Sequence, residues 1–482
     1  MADPRGFLTI ARRTAGYRPV LARVADHRDQ ALPPDPGLAG SQAARCMDCG
    51  VPFCTSGCPL GNLIPDWNEL VRTGRWREAS DRLHATNNFP ELTGKLCPAP
   101  CEASCVLALN DDPVTIKAIE LAIVDRAFAE GWVRPQPAAA ATGRSVAVIG
   151  SGPAGLAAAL QLTRAGHEVT VFERDDAPGG LLRYGIPDFK LEKQLVDRRL
   201  EQMMAEGTRF ETGVDVGAAL DPIELRALFD AVVLATGAQR HRDLDVPGRD
   251  LDGVQLAMPY LTGRNRAVAG RPAGDAASAA GRRVVVLGGG DTSADCLGNA
   301  LREGAAEVHE VAHGEMPPRE HDPQQTWPAW PRVLRSHPVH QEGGSRHWRF
   351  ETVAIEGDGR VQRVRGQDGS TIDAELVLVA IGFSGVEPDP VYPGLEVRIE
   401  DGRVRGTPDD VFAAGDCVLG ADLIVTAIAD GRRAARDAER RLAARSTEPS
   451  GRWRRQSSVS QASGVPSRRP SSSASCSSSS QL

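Results

Sequence analysis

The chain has 482 residues, 41% of them hydrophobic and 25% charged, and a formal net charge of -7 at pH 7. This length and composition can fill two or three domain cores. The negative charge and scattered basic residues argue against nucleic acid as a partner. The lack of any run of about 18 apolar residues argues against a membrane span.

Cysteines dominate the first part of the chain. Seven of the ten lie in two tight runs, Cys46, Cys49, Cys54 and Cys58, then Cys97, Cys101 and Cys105. Close spacing of thiolates suits a zinc ion or an iron-sulfur cluster, because several sulfurs must converge on one small centre. Disulfides fit poorly, since the chain opens MADPRGFLTI without an apolar signal segment and is longer than small secreted domains. A cytoplasmic protein is predicted.

The spacing of the first run favours iron-sulfur chemistry. It reads C-x2-C-x4-C-x3-C-P, close to the ferredoxin run C-x2-C-x2-C-x3-C-P, in which the fourth cysteine ligates the other cluster. Cys58 would then join the second run. Because seven cysteines are one short of eight, either one cluster takes a non-cysteine ligand or a single four-ligand site lies beside three spare cysteines. Zinc stays an alternative, although structural zinc usually takes two separated ligand pairs.

A dinucleotide-binding pattern follows the linker-like stretch 135–143. The apolar residues 146–149 run into G-x-G-x-x-G at Gly150, Gly152 and Gly155. Such glycines allow a tight strand-to-helix turn and close approach to a pyrophosphate, which the helix N-terminus stabilises. The next strand, HEVTVFE, ends in Glu173, where a carboxylate accepts a hydrogen bond from an adenosine ribose.

The pattern recurs in the second half of the chain. Gly288 and Gly290 follow a β-branched strand, with Ser293 at the position of a third glycine. The strand AEVHEV then places Glu307 and Glu310 near the expected ribose position, and no arginine pair follows it directly. Two turns with matched strands indicate two dinucleotide sites, while the choice between NADH and NADPH stays open.

Two more apolar strands end in glycine. They lie around Gly237 and around Gly415 and Asp416, where the carboxylate either reaches a ribityl or phosphate group or caps the next helix.

Two adjacent dinucleotide folds suggest hydride transfer from a nicotinamide to a flavin. Cys296 and Cys417 are solitary, and no C-x-x-C or C-x4-C follows residue 105. Electrons are therefore predicted to leave through the cysteine-rich domain.

These patterns predict an α/β protein with two Rossmann-like, glutathione-reductase-like dinucleotide-binding domains preceded by an α-helical iron-sulfur domain. The predicted bounds are 1–134 for the iron-sulfur domain, 144–264 and 401–446 for the two parts of the FAD-binding domain, 265–400 for the NAD(P)-binding domain, and 447–482 for a tail. This tail is rich in serine and arginine, contains Cys476 and is predicted to be disordered.

The motifs together carry a family resemblance over roughly residues 5–440. The cysteine frame, GSGPAGLAAA, GGLLRYGIPDFKLEK, GGGDTSADC and AAGD make the chain similar to the small (beta) subunit of bacterial glutamate synthase, among flavoproteins that include dihydropyrimidine dehydrogenase. The resemblance implies oxidation of NAD(P)H at FAD and electron transfer through 4Fe-4S clusters to a large (alpha) subunit, which makes glutamate from glutamine and 2-oxoglutarate. An NAD(P)H:ferredoxin-type oxidoreductase with another partner is the alternative. A non-enzymatic cluster-bearing scaffold conflicts with the intact glycine turns.

The resemblance also implies site residues. FAD is expected at Gly150, Gly152, Gly155, Glu173, Gly180, Leu181, Gly415 and Asp416, and NADP or NAD at Gly288, Gly290, Asp291 and Thr292. Two 4Fe-4S clusters are expected, one on Cys46, Cys49, Cys54 and Cys105 and the other on Cys58, Cys97 and Cys101. Glu120 is the candidate fourth ligand of the second cluster, unless it is a solvated helix glutamate. No catalytic side chain is assigned, because the cofactors perform the chemistry.

Overall fold

The computed structural model describes residues 5–319, 327–328 and 331–444, so the predicted tail and Cys476 lie outside the described residues. The described part before residue 145 is built from nine helices and one 3₁₀ turn. These are α1 Gly6–Thr9, α2 Val20–Val24, α3 Pro36–Ala43, α4 Phe53–Ser56, α5 Ile64–Arg72, α6 Trp76–Thr86, α7 Pro90–Leu96, α8 Pro100–Ala103, the turn Val106–Leu109, and α9 Ile116–Ala129.

The core of this helical domain contains the cysteines. Trp67 of α5 and Ile119 of α9 are fully buried and pack in one cluster with Cys58, Cys97 and Cys101. Removing large apolar side chains from water stabilises the domain by about 25 cal/mol per Å² of apolar surface. The apolar faces of the helices therefore surround the thiols.

The chain then enters the first α/β half. Its elements are β1 Ser145–Ile149, α10 Pro153–Arg164, β2 Glu168–Glu173, α11 Leu181–Tyr184, α12 Lys193–Glu206, β3 Arg209–Thr212, α13 Pro222–Leu228, β4 Ala231–Leu234 and β5 Arg240–His241. All of β1 is buried, as expected of a parallel strand that is covered on both faces. Helix α10 starts with a proline at its first position, where a missing N–H costs nothing.

The second α/β half follows. Its elements are β6 Val254–Leu256, α14 Ala257–Val268, β7 Arg283–Leu287, α15 Asp291–Arg302, β8 Glu307–Val311, a 3₁₀ turn Pro338–Gln341, β9 Ser345–His347, β10 Thr352–Asp358, β11 Arg360–Gly366, β12 Thr371–Asp373, β13 Leu376–Val379 and β14 Phe383–Gly385. The chain returns through α16 Val391–Gly394, β15 Arg398–Glu400, β16 Arg403–Gly406, β17 Val411–Ala413, α17 Asp416–Leu419 and α18 Ile424–Ala444.

Two five-stranded parallel sheets organise these halves. The first has the order β17-β4-β1-β2-β3 and the second β6-β13-β7-β8-β9. In each sheet a strand near the middle, β1 or β7, leads through a glycine turn into the next helix. Strands β10 to β12 form a separate antiparallel sheet. Both turns thus lie at carboxyl edges of parallel strands, where open α/β sheets bind ligands.

The predicted boundaries inside the α/β part differ from this topology. Residue 265 falls inside α14, although the second sheet already begins with β6. Residues 400 and 401 lie in the β15–β16 hairpin, whose Val404 packs with Val232 of the first sheet. A strand of three residues is too short to give a readable sequence pattern. We therefore propose 254–379 for the second half.

Buried ion pairs join the helical domain to both halves. Arg199 of α12 donates from Nε and Nη2 to the two carboxylate oxygens of Glu91 in α7, at 2.7 Å each. Glu342 lies 3.4 Å from Arg23 of α2 and 2.6 Å from Arg302 of α15. These contacts fix the relative positions of the three parts. None of the helices in the described ranges is both long and apolar enough to cross a membrane.

Candidate functional site

The first glycine turn joins β1 to α10. At Gly150 φ is +99°, and a Cβ there would lie 2.4 Å from the carbonyl oxygen of Ala235, so the turn requires glycine. Gly155 allows α10 to approach closely, since its Cβ would lie 2.0 Å from the Gly150 oxygen. A Cβ on Gly152 meets no atom within 4 Å. The space before the N-terminus of α10 is therefore open to a pyrophosphate.

Glu173 ends β2 and is buried beside this turn. Its carboxylate accepts a hydrogen bond from the backbone N–H of Ser151 at 3.1 Å and another from the Ser151 hydroxyl. The same hydroxyl accepts from the N–H of Gly179 at 2.8 Å. The hydrogen bonds of Ser151 therefore connect the glycine turn to the segment that contains Gly179. In that segment, Gly180 and Leu181 line a large cavity that also includes the turn. Binding of ribose by Glu173 stays a prediction.

Gly415 and Asp416 lie against the N-terminal end of α10. A Cβ on Gly415 would be 2.7 Å from the Cβ of Ala154, and the Gly415 N–H donates to Asp430 at 2.8 Å. Asp416 lines the cavity, and burial, followed by the charge of Asp422, raises its pKa to about 7. Because Gly415 is the N-cap of α17, the Asp416 side chain does not cap that helix.

The second glycine turn repeats this geometry between β7 and α15. At Gly288 φ is +146°, and a Cβ would lie 2.4 Å from the carbonyl oxygen of Ala380. Gly290 faces open space. Asp291 and Thr292 begin α15, and the Asp291 carboxylate lies 3.3 Å from Nε2 of His337.

The two glutamates expected near the second ribose lie elsewhere. Glu307 begins β8, at the end of the strand far from the turn. Glu310 is buried, with Oε1 accepting from the Ser293 hydroxyl at 2.7 Å and Oε2 lying 2.7 Å from Nε of Arg346 and 3.2 Å from His340. Burial alone would raise the pKa of Glu310, but these neighbours lower it. The Gly288 N–H bonds to the Val311 oxygen as the Gly150 N–H bonds to the Phe172 oxygen, so Ala312, and not Glu310, takes the position that Glu173 has in the first half. That expectation is corrected.

One cavity of about 1360 Å³ connects the three parts of the molecule. Its wall includes Gly152 of the first turn, Asp291 of the second half, and Cys97 of the helical domain. Lys117, whose pKa is lowered by burial, lines it beside Cys97. A nicotinamide, a flavin and one cysteine group can therefore meet in one continuous space.

The first cysteine group lies around a small pocket. Its members are Cys46, Cys49, Cys54 and Cys105, and apolar side chains such as Ile116 complete the lining. Asp48, with φ of +53°, turns the chain between the first two cysteines. Burial, followed by the charges of Cys46 and Cys105, raises the pKa of Cys54 to about 12. The thiols are thus close enough to influence one another.

The second group contains Cys58, Cys97, Cys101 and Glu120. Burial raises the pKa of Cys58 to about 11 and that of Cys97 to about 12, with a contribution from Glu120 in both. Burial also raises the pKa of Cys101, with further contributions from Cys58 and Cys97. Cys54 of the first run therefore lies with Cys46 and Cys105, and Cys58 lies with Cys101. That these are two sets of cluster ligands stays a prediction.

Glu120 is a buried residue of α9 and not a solvated one. Its Oε1 accepts from Thr93 Oγ1 at 2.6 Å and from Asn87 Nδ2 at 2.8 Å. Burial raises the pKa of Glu120 to about 7, although both hydrogen bonds lower it. The side chain is held at one oxygen beside the thiols.

These two groups fit iron-sulfur clusters. Each contains four side chains that can act as ligands, the number that a 4Fe-4S cluster takes. We propose these two sets as the cluster ligands.

Comparisons with known proteins agree with this architecture. The sequence model of the pyridine nucleotide-disulphide oxidoreductase family matches residues 144–431, and that of dihydropyrimidine dehydrogenase domain II, 4Fe-4S cluster, matches residues 23–132. The glutamate synthase [NADPH] small chain of Mycobacterium tuberculosis is 51% identical, over 93% of this chain and 98% of that protein. The Bacillus subtilis small chain is 42% identical, over 93% and 100%.

The chain belongs to the glutamate synthase small-chain family. The glutamate synthase [NADH] of Schizosaccharomyces pombe is 42% identical over 90% of this chain, which spans 22% of that longer protein. Among solved structures, Mycobacterium tuberculosis FprA in complex with NADPH gives a TM-score of 0.48 at 22% identity, over 62% of this chain and 84% of that one. The family membership confirms the predicted resemblance, fold class, flavin and nicotinamide cofactors, and iron-sulfur centres.

Some residues of this small chain were not predicted. Ser151 lies between two motif glycines, so its position could have indicated its role. Asn87 and Thr93 hold Glu120 across 33 and 27 residues of sequence, and Asp430 holds Gly415 from another element. Such contacts give no local sequence signal.

Proposed function

We propose that this chain is the electron-input subunit of glutamate synthase, oxidising NADPH and passing electrons to a large subunit. The observation that carries the proposal is the continuous cavity, whose wall includes Gly152 of the first turn, Asp291 at the start of α15, and Cys97. When bound, FAD would accept a hydride and release its electrons singly. The residues of the chain bind and align the reactants, and among those described the two solitary thiols, Cys296 and Cys417, are buried and unpaired.

The arrangement of the cysteine groups supports one direction of transfer. Cys97 of the second group lines the cavity, whereas Cys49 of the first group lies nearer the surface. Beside the first group, Val51 is 67% exposed and Leu109 is 57% exposed. We therefore infer that electrons enter at the second group and leave from the first, where apolar side chains are available to a partner.

The names of the relatives support a large subunit as the partner and NADPH as the coenzyme. Two of them are named NADPH-dependent small chains, which implies a large chain. In the Schizosaccharomyces pombe relative the matching segment is 22% of one longer glutamate synthase. We propose that the present chain binds a separate large subunit for the same reaction. Its cytoplasmic location stays a prediction.

The proposal is tested by glutamate production. The holoprotein alone should reduce an artificial dye with NADPH and form no glutamate, because the chain has no predicted glutamate-forming site. Adding the large subunit should couple NADPH oxidation to consumption of glutamine and 2-oxoglutarate. Glutamate formed by this chain alone would contradict the proposal.

Two variants locate the electron route. Cys46→Ser should break the coupling and leave reduction of the flavin by NADPH intact, since Cys46 lies in the first group, away from the cavity. Cys296→Ala is the matched control, because this thiol is buried in the other half of the molecule. A Cys46→Ser protein that remains fully coupled would show that the route is misassigned.

A further inference from the structure

The segment after strand β9 contains an arginine, which the sequence directly after β8 lacks. In dinucleotide-binding folds an arginine near the end of the second strand accommodates the 2′-phosphate of NADP. Here the residues directly after β8 are Ala312, His313, Gly314 and Glu315. Strand β9 pairs with β8 in parallel, so the residues after β9 reach the same edge of the sheet.

Backbone hydrogen bonds hold these two segments together. The N–H of Ala312 donates to the His347 oxygen at 2.9 Å, and the N–H of Phe350 donates to the Ala312 oxygen at 3.1 Å. Between them, the N–H of Arg349 donates to the Gly314 oxygen at 2.8 Å. Arg349 is therefore fixed beside the position where a 2′-phosphate-binding residue is expected.

Trp348 connects this segment to the glycine turn. A Cβ built on Gly289 would lie 3.8 Å from Cζ3 of Trp348 and 3.1 Å from the Cβ of Ala312. The Arg346 guanidinium lies 4.8 Å from the centre of the Trp348 ring, and Glu310 holds Arg346 at 2.7 Å. Buried Glu310 therefore fixes Arg346, which packs on Trp348 between the glycine turn and Arg349.

The conformation of Arg349 presents its side chain to solvent. Its φ is +59°, a left-handed conformation that is unfavourable for a residue with a Cβ and that often occurs at functional sites. The side chain is 73% exposed, and its Nη2 lies 2.7 Å from Oε1 of Glu315. Within the described parts of the chain Glu315 is its one side-chain partner, and the rest of the guanidinium faces solvent.

We infer that Arg349 binds the 2′-phosphate of NADPH and determines selectivity against NADH, an inference that rests on the proposed use of a nicotinamide dinucleotide by this chain. The guanidinium offers several donors in one plane, which matches the geometry of a phosphate. Glu315 orients the guanidinium, and its charge opposes the phosphate. The selectivity residue therefore follows β9, and it lies 38 residues beyond Val311, the last residue of β8, near which such an arginine usually lies.

The test compares Arg349→Asn with the wild-type holoprotein in dye reduction. Asparagine tolerates a left-handed backbone, so this change removes the guanidinium and keeps the fold. The KM for NADPH should rise about tenfold, while the KM for NADH and both kcat values change little. Calorimetry should show weaker binding of 2′,5′-ADP and unchanged binding of 5′-AMP. Arg349→Lys should restore part of the preference, because it retains the charge.

Arg363→Asn is the matched control, because Arg363 also forms an exposed pair with a glutamate in the same half. It should change neither coenzyme's KM. Glu315→Gln keeps an acceptor for Arg349 and removes the opposing charge, so the KM for NADPH should fall.

Three results would overturn the inference: a preference for NADH in the wild type, an unchanged NADPH preference in Arg349→Asn, or a higher KM for NADPH in Glu315→Gln. A wild-type protein that oxidises neither nucleotide would instead contradict the proposed function.

Discussion

At the scale of single residues, we propose that Glu120 completes the second iron-sulfur group. Seven cysteines leave one position open, and the structure places this buried carboxylate beside Cys58 and Cys97. Thr93 and Asn87 both bond to Oε1. They fix the side chain, so it needs little reorganisation to act as a ligand.

Iron content tests this assignment. The anaerobically purified holoprotein should contain about eight irons per chain, because two sets of four ligands imply two 4Fe-4S centres. Cys54→Ser should remove one centre and Cys101→Ser the other, while Glu120→Ala perturbs the second alone. Iron analysis and low-temperature EPR would measure this. Zinc in place of iron, or loss of the first centre in Glu120→Ala, would refute the assignment.

Residues close to a motif could be predicted, and residues fixed by distant contacts could not. Gly150 and Gly288 were predicted because a tight turn is encoded within a few positions. Glu310 follows the same motif logic, yet it is bonded to Ser293 and paired with Arg346, which the sequence pattern does not reveal. Local spacing therefore predicted the turns but not the contacts that hold Glu310 inside the protein.

At the scale of elements, two helices from different domains meet through one buried pair. Glu91 of α7 and Arg199 of α12 are both almost fully buried and joined by two hydrogen bonds. Burial would raise the pKa of Glu91, but the Arg199 guanidinium lowers it below its ordinary value of 4.5. The carboxylate therefore remains charged inside the interface.

Loss of this pair should destabilise the protein. Glu91→Ala leaves Arg199 buried without its carboxylate, which costs on the order of 3–5 kcal/mol. Because the pKa of Glu91 is lowered in the folded state, the contribution is present above pH 4.5 and is lost as the pH falls. Thermal unfolding should therefore show the largest difference from the wild type above that pH. Glu78→Ala, which breaks the exposed Arg75–Glu78 pair, should change the melting temperature little.

Whether the sequence predicted a strand depended on the length of that strand. Strands β1 and β7 have five residues each and form continuous apolar runs that precede glycine turns. Strands β6 and β9 have three residues each and lie at the edges of the second sheet. Their pairing depends on the completed sheet, so a local sequence pattern does not predict strands of this length.

At the scale of the whole molecule, the two proposed nucleotide sites have separate turns, and Gly152 and Asp291 beside them line one cavity. A Cβ on either Gly152 or Gly290 meets no protein atom within 4 Å. A side chain at either position therefore fits the folded protein and would occupy the space that we propose for a pyrophosphate. The two sites can be blocked one at a time.

Reciprocal variants should separate the two sites. Gly152→Val should abolish FAD retention, because the side chain keeps the pyrophosphate from the backbone. Gly290→Val should retain FAD and lose reduction of the flavin by NADPH. Flavin absorbance of the purified protein and stopped-flow reduction measure the two effects, and each variant controls for the other. A yellow Gly152→Val protein with full dye reduction would disprove the assignment of the first turn.

The division of the cysteines between the groups also has a consequence for biosynthesis. Cys58 lies with Cys97 and Cys101, and Cys105 lies with Cys46 and Cys54. Neither set can assemble while only the first run has left the ribosome. Each completed centre would then link two distant segments of the nascent chain. This link would reduce the conformational entropy of the chain before either α/β half is complete. On the proposed ligand sets, a nascent chain arrested before Cys97 should acquire neither 4Fe-4S cluster, which iron and sulfide analysis of the arrested chain would measure.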